Sequence, residues 1–115
     1  MASDCLFCRI ARREIPASIV YEDDRVLAFN DINPQGPTHV LVIPKQHIAT
    51  LNDLSPEHDA IVGELVRRAA AIAKERGIDG GGFRVVLNTN RDAGQTVFHI
   101  HLHLIGGRSL GWPPG

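Results

Sequence analysis

No stretch of this 115-residue sequence approaches the ~20 apolar residues of a membrane span. Nor does it open on a basic start followed by an apolar run: it begins Met1-Ala2-Ser3-Asp4-Cys5, so no secretory signal is expected. An excess of one charge is missing too, since 12 Lys and Arg face 13 Asp and Glu, a formal net charge of −1. A binder of the nucleic-acid backbone would carry a basic surplus, so that class is set aside. Cysteine is limited to Cys5 and Cys8, which makes a cytoplasmic location the default. A domain of this length buries roughly two-thirds of its unfolded surface and needs no disulfide scaffold. The apolar share of 43% and charged share of 22% exclude disorder, collagen-like sequence and coiled coil. Repeats, low-complexity tracts and linkers are absent, so residues 1–115 are expected to form one domain.

What the chain has in abundance is histidine. There are six, three of them inside Phe98–Leu104.

The spacing of apolar residues predicts a short helix over 4–13, with Asp4 as N-cap and Leu6, Phe7 and Ile10 on one face. Ile19–Glu22 and Val26–Asn30 are β-rich, with Asp23-Asp24 as the hairpin turn. Asn33–Pro37 is a loop because of its two prolines and glycine. Thr38–Ile43 reads as a central strand that Pro44 stops. A long helix is expected over 55–76, with Ser55 as N-cap, Ile61, Val62, Leu65, Val66, Ala69, Ile72 and Ala73 as its apolar stripe, and Gly77 as its stop. Phe83–Asn88 and Thr96–Ile105 read as strands joined by the loop Thr89–Gly94. Together these give an α+β fold: an antiparallel sheet of about five strands with helix packed on one face.

Phe98-His99-Ile100-His101-Leu102-His103-Leu104 alternates strictly, and strand side chains alternate faces. His99, His101 and His103 should share one face, with Phe98, Ile100, Leu102 and Leu104 in the core on the other. A zinc ion is one use for three imidazoles, but at ~3.3 Å per residue His99 and His103 start ~13 Å apart, too far for one ion from a straight strand. An extended phosphate-bearing ligand fits that span better. A neutral imidazole is nucleophilic near pH 7, and its neighbours can donate to non-bridging oxygens. Cys5-Leu6-Phe7-Cys8 is a Cys-x-x-Cys without the βαβ context of a thioredoxin-like pair, and two free thiols remain an equal reading.

His99–Ile105 is similar to the His-φ-His-φ-His-φ-φ motif of the histidine triad (HIT) superfamily, φ being apolar. Glu14-Ile15-Pro16, Glu22-Asp23-Asp24, Pro37–Pro44, Gly94–Val97, Gly106-Gly107-Arg108 and Trp112–Gly115 resemble its Hint branch, the histidine triad nucleotide-binding proteins. The likeness covers almost the whole chain. It implies a HIT fold with one long and one short helix, and a homodimer whose two sheets join into one of ten strands. It also implies binding of purine nucleoside monophosphates and hydrolysis of purine nucleoside phosphoramidates.

Carried over residue by residue, the resemblance makes His101 the nucleophile that forms a nucleotidyl-imidazole intermediate. His103 would bond the phosphoryl oxygens, and His39 and His99 would complete the histidine set. Gly94, Gln95 and Thr96 would present donors to the phosphate, Thr96 standing where relatives usually have Ser. Asp31 would take the ribose, Asn88 would lie at the nucleotide site, and Phe7, Ile10, Phe29 and Ile32 would form the base pocket. Asn30 replaces a His common in animal relatives. Trp112 would reach toward the partner's site. Members with the cysteine pair bind zinc through the equivalents of Cys5, Cys8, His47 and His99, while many Hint proteins lack the cysteines and bind none. Catalysis itself would need no cofactor. His58 reads as a solvated surface residue. The competing functions are a purine nucleotide sensor or adaptor with little turnover, a zinc hydrolase using the triad as ligands, and a dinucleoside polyphosphate hydrolase.

Overall fold

The computed structural model describes residues 4–115; the opening Met1-Ala2-Ser3 lies outside them. A five-stranded antiparallel sheet forms the centre, in the order β1-β2-β3-β5-β4. The strands are β1 (Ile19–Glu22), β2 (Val26–Asn30), β3 (Thr38–Pro44), β4 (Phe83–Val86) and β5 (Leu102–Gly106). Three helices join them: α1 (Leu6–Ala11), α2 (Asp59–Glu75) and α3 (Asn90–Ala93). Among the described residues no helix is long and apolar enough to cross a membrane.

β1 to β3 follow from β-rich runs and a local turn. Asp23 closes the hairpin by accepting the backbone N–H groups of Arg25 (2.8 Å) and Val26 (2.9 Å) on Oδ1. Every residue of β3 is buried, because both sheet faces are covered. Val26, Ala28, Val40, Val42, Leu102 and Leu104 pack under Ile61, Leu65, Ala69, Ile72 and Ala73 of α2. On the opposite face Leu27, Phe29, Leu41 and Ile43 pack under Phe7 and Ile10 of α1. Helix therefore lies on two faces rather than the one expected from the sequence. The reason is that α1, though short, carries two large apolar side chains onto the second face.

Other boundaries shift for physical reasons. The N-cap of α1 is Cys5 rather than Asp4, its sulfur accepting the Cys8 N–H at 3.5 Å. Ser55 opens a single 3-10 turn, Pro56–His58, before α2 starts at Asp59. His58 is buried, not solvated: its Nδ1 accepts the Ser55 backbone N–H at 3.0 Å, the return bond of a capping box. The segment read as loop contains α3, and β4 is two residues shorter than expected.

The largest change concerns the histidine segment. Only Leu102–Gly106 pairs as strand, with Val42 opposite Leu102. Beyond that pair the partner strand reaches Pro44, which has no N–H to donate, and the ladder stops. Ile100 instead donates its N–H to the Ile48 carbonyl at 2.7 Å, and the chain bends at 97–99. The bend leaves Phe98 about half exposed (49%), whereas Ile100, Leu102 and Leu104 reach the core as expected.

Candidate active site

The register Leu41↔His103 and His39↔Ile105 makes His39 and His103 diagonal neighbours on the α1 side of the sheet. Asp31, one residue past β2, joins them: its N–H bonds the His39 carbonyl at 2.9 Å, and its Oδ2 lies 3.4 Å from His39 Nε2. His101 follows on the same side, its ring 5.0 Å from those of His103 and Phe7. Asp31, His101 and His103, with His39 behind them, border a cavity of about 370 Å³ lined by Phe7, Ile10, Phe29, Asp31, Ile32, Thr96, His101 and His103 among others. The volume and apolar walls suit a small planar ligand with a polar end. The sequence reading missed Leu6, Ile15, Ala17 and Leu41, which also line it. Leu6 and Leu41 were legible only as apolar positions of a predicted helix and strand, and Ile15 and Ala17 only as apolar residues between predicted elements.

His101 donates Nδ1–H to the His99 carbonyl at 2.8 Å. A backbone carbonyl can only accept, so the tautomer is fixed and the Nε2 lone pair is free. Burial lowers the His101 pKa, against opposing contributions from that bond and from Asp31, and so favours the neutral, nucleophilic ring. His103 is pushed down to about 4 by burial, then by the nearby His101 and His39. Burial also lowers His39, against the Asp31 carboxylate.

A pH prediction follows from His103. Its folded value of about 4 lies below the ordinary 6.5, so between these two pH values the unfolded chain binds the proton more readily. Stability is therefore expected to fall as pH drops from about 6.5 toward about 4. Urea midpoints at pH 7.5 and pH 5, with the His103 ring followed by NMR, check this. A ring titrating at the ordinary value would contradict it.

His99 departs from its two neighbours. It is fully buried, does not line the cavity, and turns toward the cysteine pair. Its Nε2 donates to the Pro44 carbonyl at 2.7 Å, which leaves the Nδ1 lone pair free. That atom lies 3.4 Å from Cys5 Sγ and 3.5 Å from Cys8 Sγ, and His47 Nδ1 lies 3.3 Å from Cys8 Sγ. All four ligand atoms fall within 4.8 Å of one another. A tetrahedral zinc with Zn–S about 2.3 Å and Zn–N about 2.1 Å has S···N edges of about 3.6 Å, so the set fits a closed structural site. The carbonyl holding Nε2–H is the outer-shell partner a metal-bound histidine usually has. The first histidine of the alternating run thus faces a different cluster from the other two.

Three further residues are placed differently from expectation. Gly94 and Gln95 do not line the cavity. Their backbone N–H groups bond the Arg91 and Asn90 carbonyls, both at 3.0 Å. The Gln95 amide donates to Ala49 O (2.8 Å) and Val97 O (3.1 Å) and accepts from Asn90 N–H (2.8 Å). Both residues tie the loop through these bonds. Asn88 lies in a second cavity with Arg84, Asp92 and Trp112, two residues past the Val86↔His103 pair that ends β4. Ile32 stands fully exposed at the cavity mouth. Asn30 binds Ser18 Oγ through Nδ2 and Arg76 through Oδ1, both at 2.9 Å.

Fold and site together define an α+β domain in which a histidine-bearing strand edges an apolar cleft. The family model for the HIT domain matches residues 12–110, and the chain belongs to the HIT family. It is 54% identical over 111 residues to the purine nucleoside phosphoramidase of Escherichia coli K12, covering 96% of this chain and 93% of that protein. It is 56% identical over 115 residues to an uncharacterised HIT-like protein of Synechococcus elongatus, covering 100% of both. A crystal structure of a HIT family hydrolase from Legionella pneumophila superposes with a TM-score of 0.96 at 52% identity, covering 97% of this chain and 100% of that one.

Proposed function

We propose that this protein hydrolyses the P–N bond of purine nucleoside 5′-phosphoramidates. The observation that carries the reading is the His101 tautomer: Nδ1–H is held by the His99 carbonyl, so the free Nε2 lone pair belongs to a ring that edges an apolar cavity. The purine would lie among Phe7, Ile10 and Phe29, with the ribose hydroxyls toward Asp31 and the phosphate toward His101 and His103. His101 Nε2 attacks phosphorus, an imidazole–phosphorus bond forms, and the bond to the amine breaks as that nitrogen takes up a proton. Water then attacks phosphorus and releases the nucleoside monophosphate and a neutral imidazole. One difficult displacement becomes two easier ones. The name of the Escherichia coli relative supports the choice of substrate.

The working unit in this reading is a homodimer in the cytoplasm. β4 lies at the sheet edge and exposes Phe83 and Val85, and pairing two such edges would make the ten-stranded sheet. The cysteine–histidine tetrad would hold a structural zinc, tying α1 to the segment before β5 that carries the nucleophile. No step of the hydrolysis passes through it.

The test is to mix the protein with excess adenosine 5′-phosphoramidate and quench within the first turnover. The expected product is a protein heavier by one adenylyl group, acid-labile as P–N imidazole adducts are, with the group mapped to His101. Tight binding of adenosine monophosphate without adduct or turnover would establish the sensor reading instead. Cleavage confined to dinucleoside polyphosphates would overturn the substrate class.

A further inference from the structure

We propose that the backbone N–H of Gln35 is a positioning group for the site, acting through His39 to hold His103 in the tautomer that offers Nε2–H to the cavity. Gln35 sits in the exposed loop between β2 and β3, bracketed by Pro34 and Pro37, and touches neither the cavity nor His103 directly.

The Gln35 amide is a donor that cannot reverse. The Gln35 N–H points at His39 Nδ1 with an N···N distance of 3.0 Å. A backbone amide only donates, so Nδ1 of His39 must accept. A neutral imidazole carries one proton, and it therefore sits on Nε2 of His39. That Nε2 lies 2.9 Å from Nδ1 of His103 and 3.4 Å from Asp31 Oδ2. The shorter contact is the hydrogen bond, so Nδ1 of His103 accepts in turn, and its own proton sits on Nε2. His103 lines the cavity, and Nε2 is its only uncommitted polar atom there. One loop amide thus decides, two rings away, that His103 is a donor and not an acceptor. Burial keeps both rings neutral at pH 7, the state in which a tautomer choice exists.

The same polarity bears on Asp31, His39 and His103 as a cation site. Their ligand atoms lie within 4.8 Å of one another, as in the cysteine–histidine tetrad. A metal there would need the lone pair on His39 Nε2. That would put the proton on Nδ1, facing the Gln35 N–H at 3.0 Å, donor against donor. Proximity alone does not separate the two clusters; the tautomers do, since His99 Nδ1 is free and His39 Nε2 is not.

Given the phosphoryl-transfer reading above, on which the catalytic consequence rests, Nε2–H of His103 is the donor available to a non-bridging oxygen as charge builds on it. The opposite tautomer would turn a lone pair toward that oxygen and repel it.

The experiment is long-range ¹H–¹⁵N correlation on the ¹⁵N-labelled full chain at pH 7.5, with through-hydrogen-bond ¹⁵N–¹⁵N coupling from backbone amides. The expected result is Nε2–H for both His39 and His103, and a resolved coupling between the Gln35 amide and His39 Nδ1. A proton on Nδ1 of either ring, averaged tautomers, or no such coupling would overturn the proposal. Gln35→Pro, which deletes the N–H, should convert His103 from one tautomer to an average and lower kcat roughly tenfold or more with a much smaller change in KM. Gln35→Ala, which keeps the amide, should keep both ring signals. Retention of single tautomers in Gln35→Pro would also overturn it. The wild-type spectra decide the matter even if that variant does not fold. They do so whether or not the protein cleaves P–N bonds, so failure here and failure of the proposed activity are told apart.

Discussion

His101→Ala is expected to reduce kcat/KM for adenosine 5′-phosphoramidate by about a thousandfold or more, with no adduct detected, while adenosine monophosphate still binds within about tenfold. The size follows from the two-step scheme. Without Nε2 no imidazole–phosphorus bond forms, and water must displace the amine directly. What remains is positioning by the apolar cavity and the donor from His103, which lower the barrier but supply no nucleophile. Binding should survive because the walls, Phe7, Ile10 and Phe29, pack into the α1 side of the core with Leu27, Leu41 and Ile43, and only Phe7 loses an edge contact with the His101 ring. His58→Ala makes the contrast. It removes the capping box of the 3-10 turn that leads into α2, which costs about 1 kcal/mol of stability, and leaves the cavity untouched. Steady-state assays with mass analysis of the quenched protein check both variants. A His101→Ala protein with undiminished turnover would remove His101 as nucleophile.

Legibility from sequence depended on how local each determinant is. β1, β2 and the turn between them were readable because β-rich runs and an Asp-driven turn are contiguous in the chain. Most of the apolar stripe of α2 was readable for the same reason: Ile61, Leu65, Ala69, Ile72 and Ala73 repeat at helical spacing and are buried, whereas Val62 at the stripe's flank is only half-buried and Val66 is exposed. The end of β5 was not readable. It is set by Pro44, more than fifty residues away, which enters the argument only once the two strands are known to be neighbours. Alternation correctly placed His101 and His103 on the face opposite Leu102 and Leu104, yet it could not say that the bend before Ile100 sends His99 to the cysteines. The bonds of the Gln95 amide to Ala49, Asn90 and Val97 were not legible either, because a polar side chain beside a motif shows nothing in sequence of the backbone groups it meets in the fold. His58 failed in the same way, its ring being used by the Ser55 amide. Tautomers are the extreme case. They depend on which partner is an obligate donor or acceptor, and that is a property of the folded backbone alone.

Adding Zn²⁺ to chelator-treated protein is expected to raise Tm by roughly 10 °C or more once free metal is about a thousandfold above Kd, equivalent to about 4 kcal/mol. Cys5→Ser and Cys8→Ser should each abolish most of the shift and the one-to-one metal content seen by native mass spectrometry. The reason lies in what the four ligands join. Cys5 and Cys8 belong to the start of α1, His47 to the loop after β3, and His99 to the bend before β5. One ion would close three chain segments far apart in sequence, and the stabilisation is that of a cross-link absent from the unfolded chain. Proton competition sets the pH dependence. Burial, with the neighbouring Cys5, pushes the Cys8 thiol up to about 11 in the metal-free protein, so zinc must displace its proton at pH 7. His99, pushed by burial down to about 4, carries no competing proton there. Apparent affinity should thus rise with pH between 6 and 8, by about tenfold per unit for each thiol proton released, and calorimetry in buffers of different ionisation heat counts those protons. Identical melting with and without zinc, or binding that weakens as pH rises, would show that the tetrad holds two thiols and two imidazoles in mutual hydrogen bonds and no metal. In that event α1, with Phe7 and Ile10 of the cavity wall, is retained by apolar packing alone.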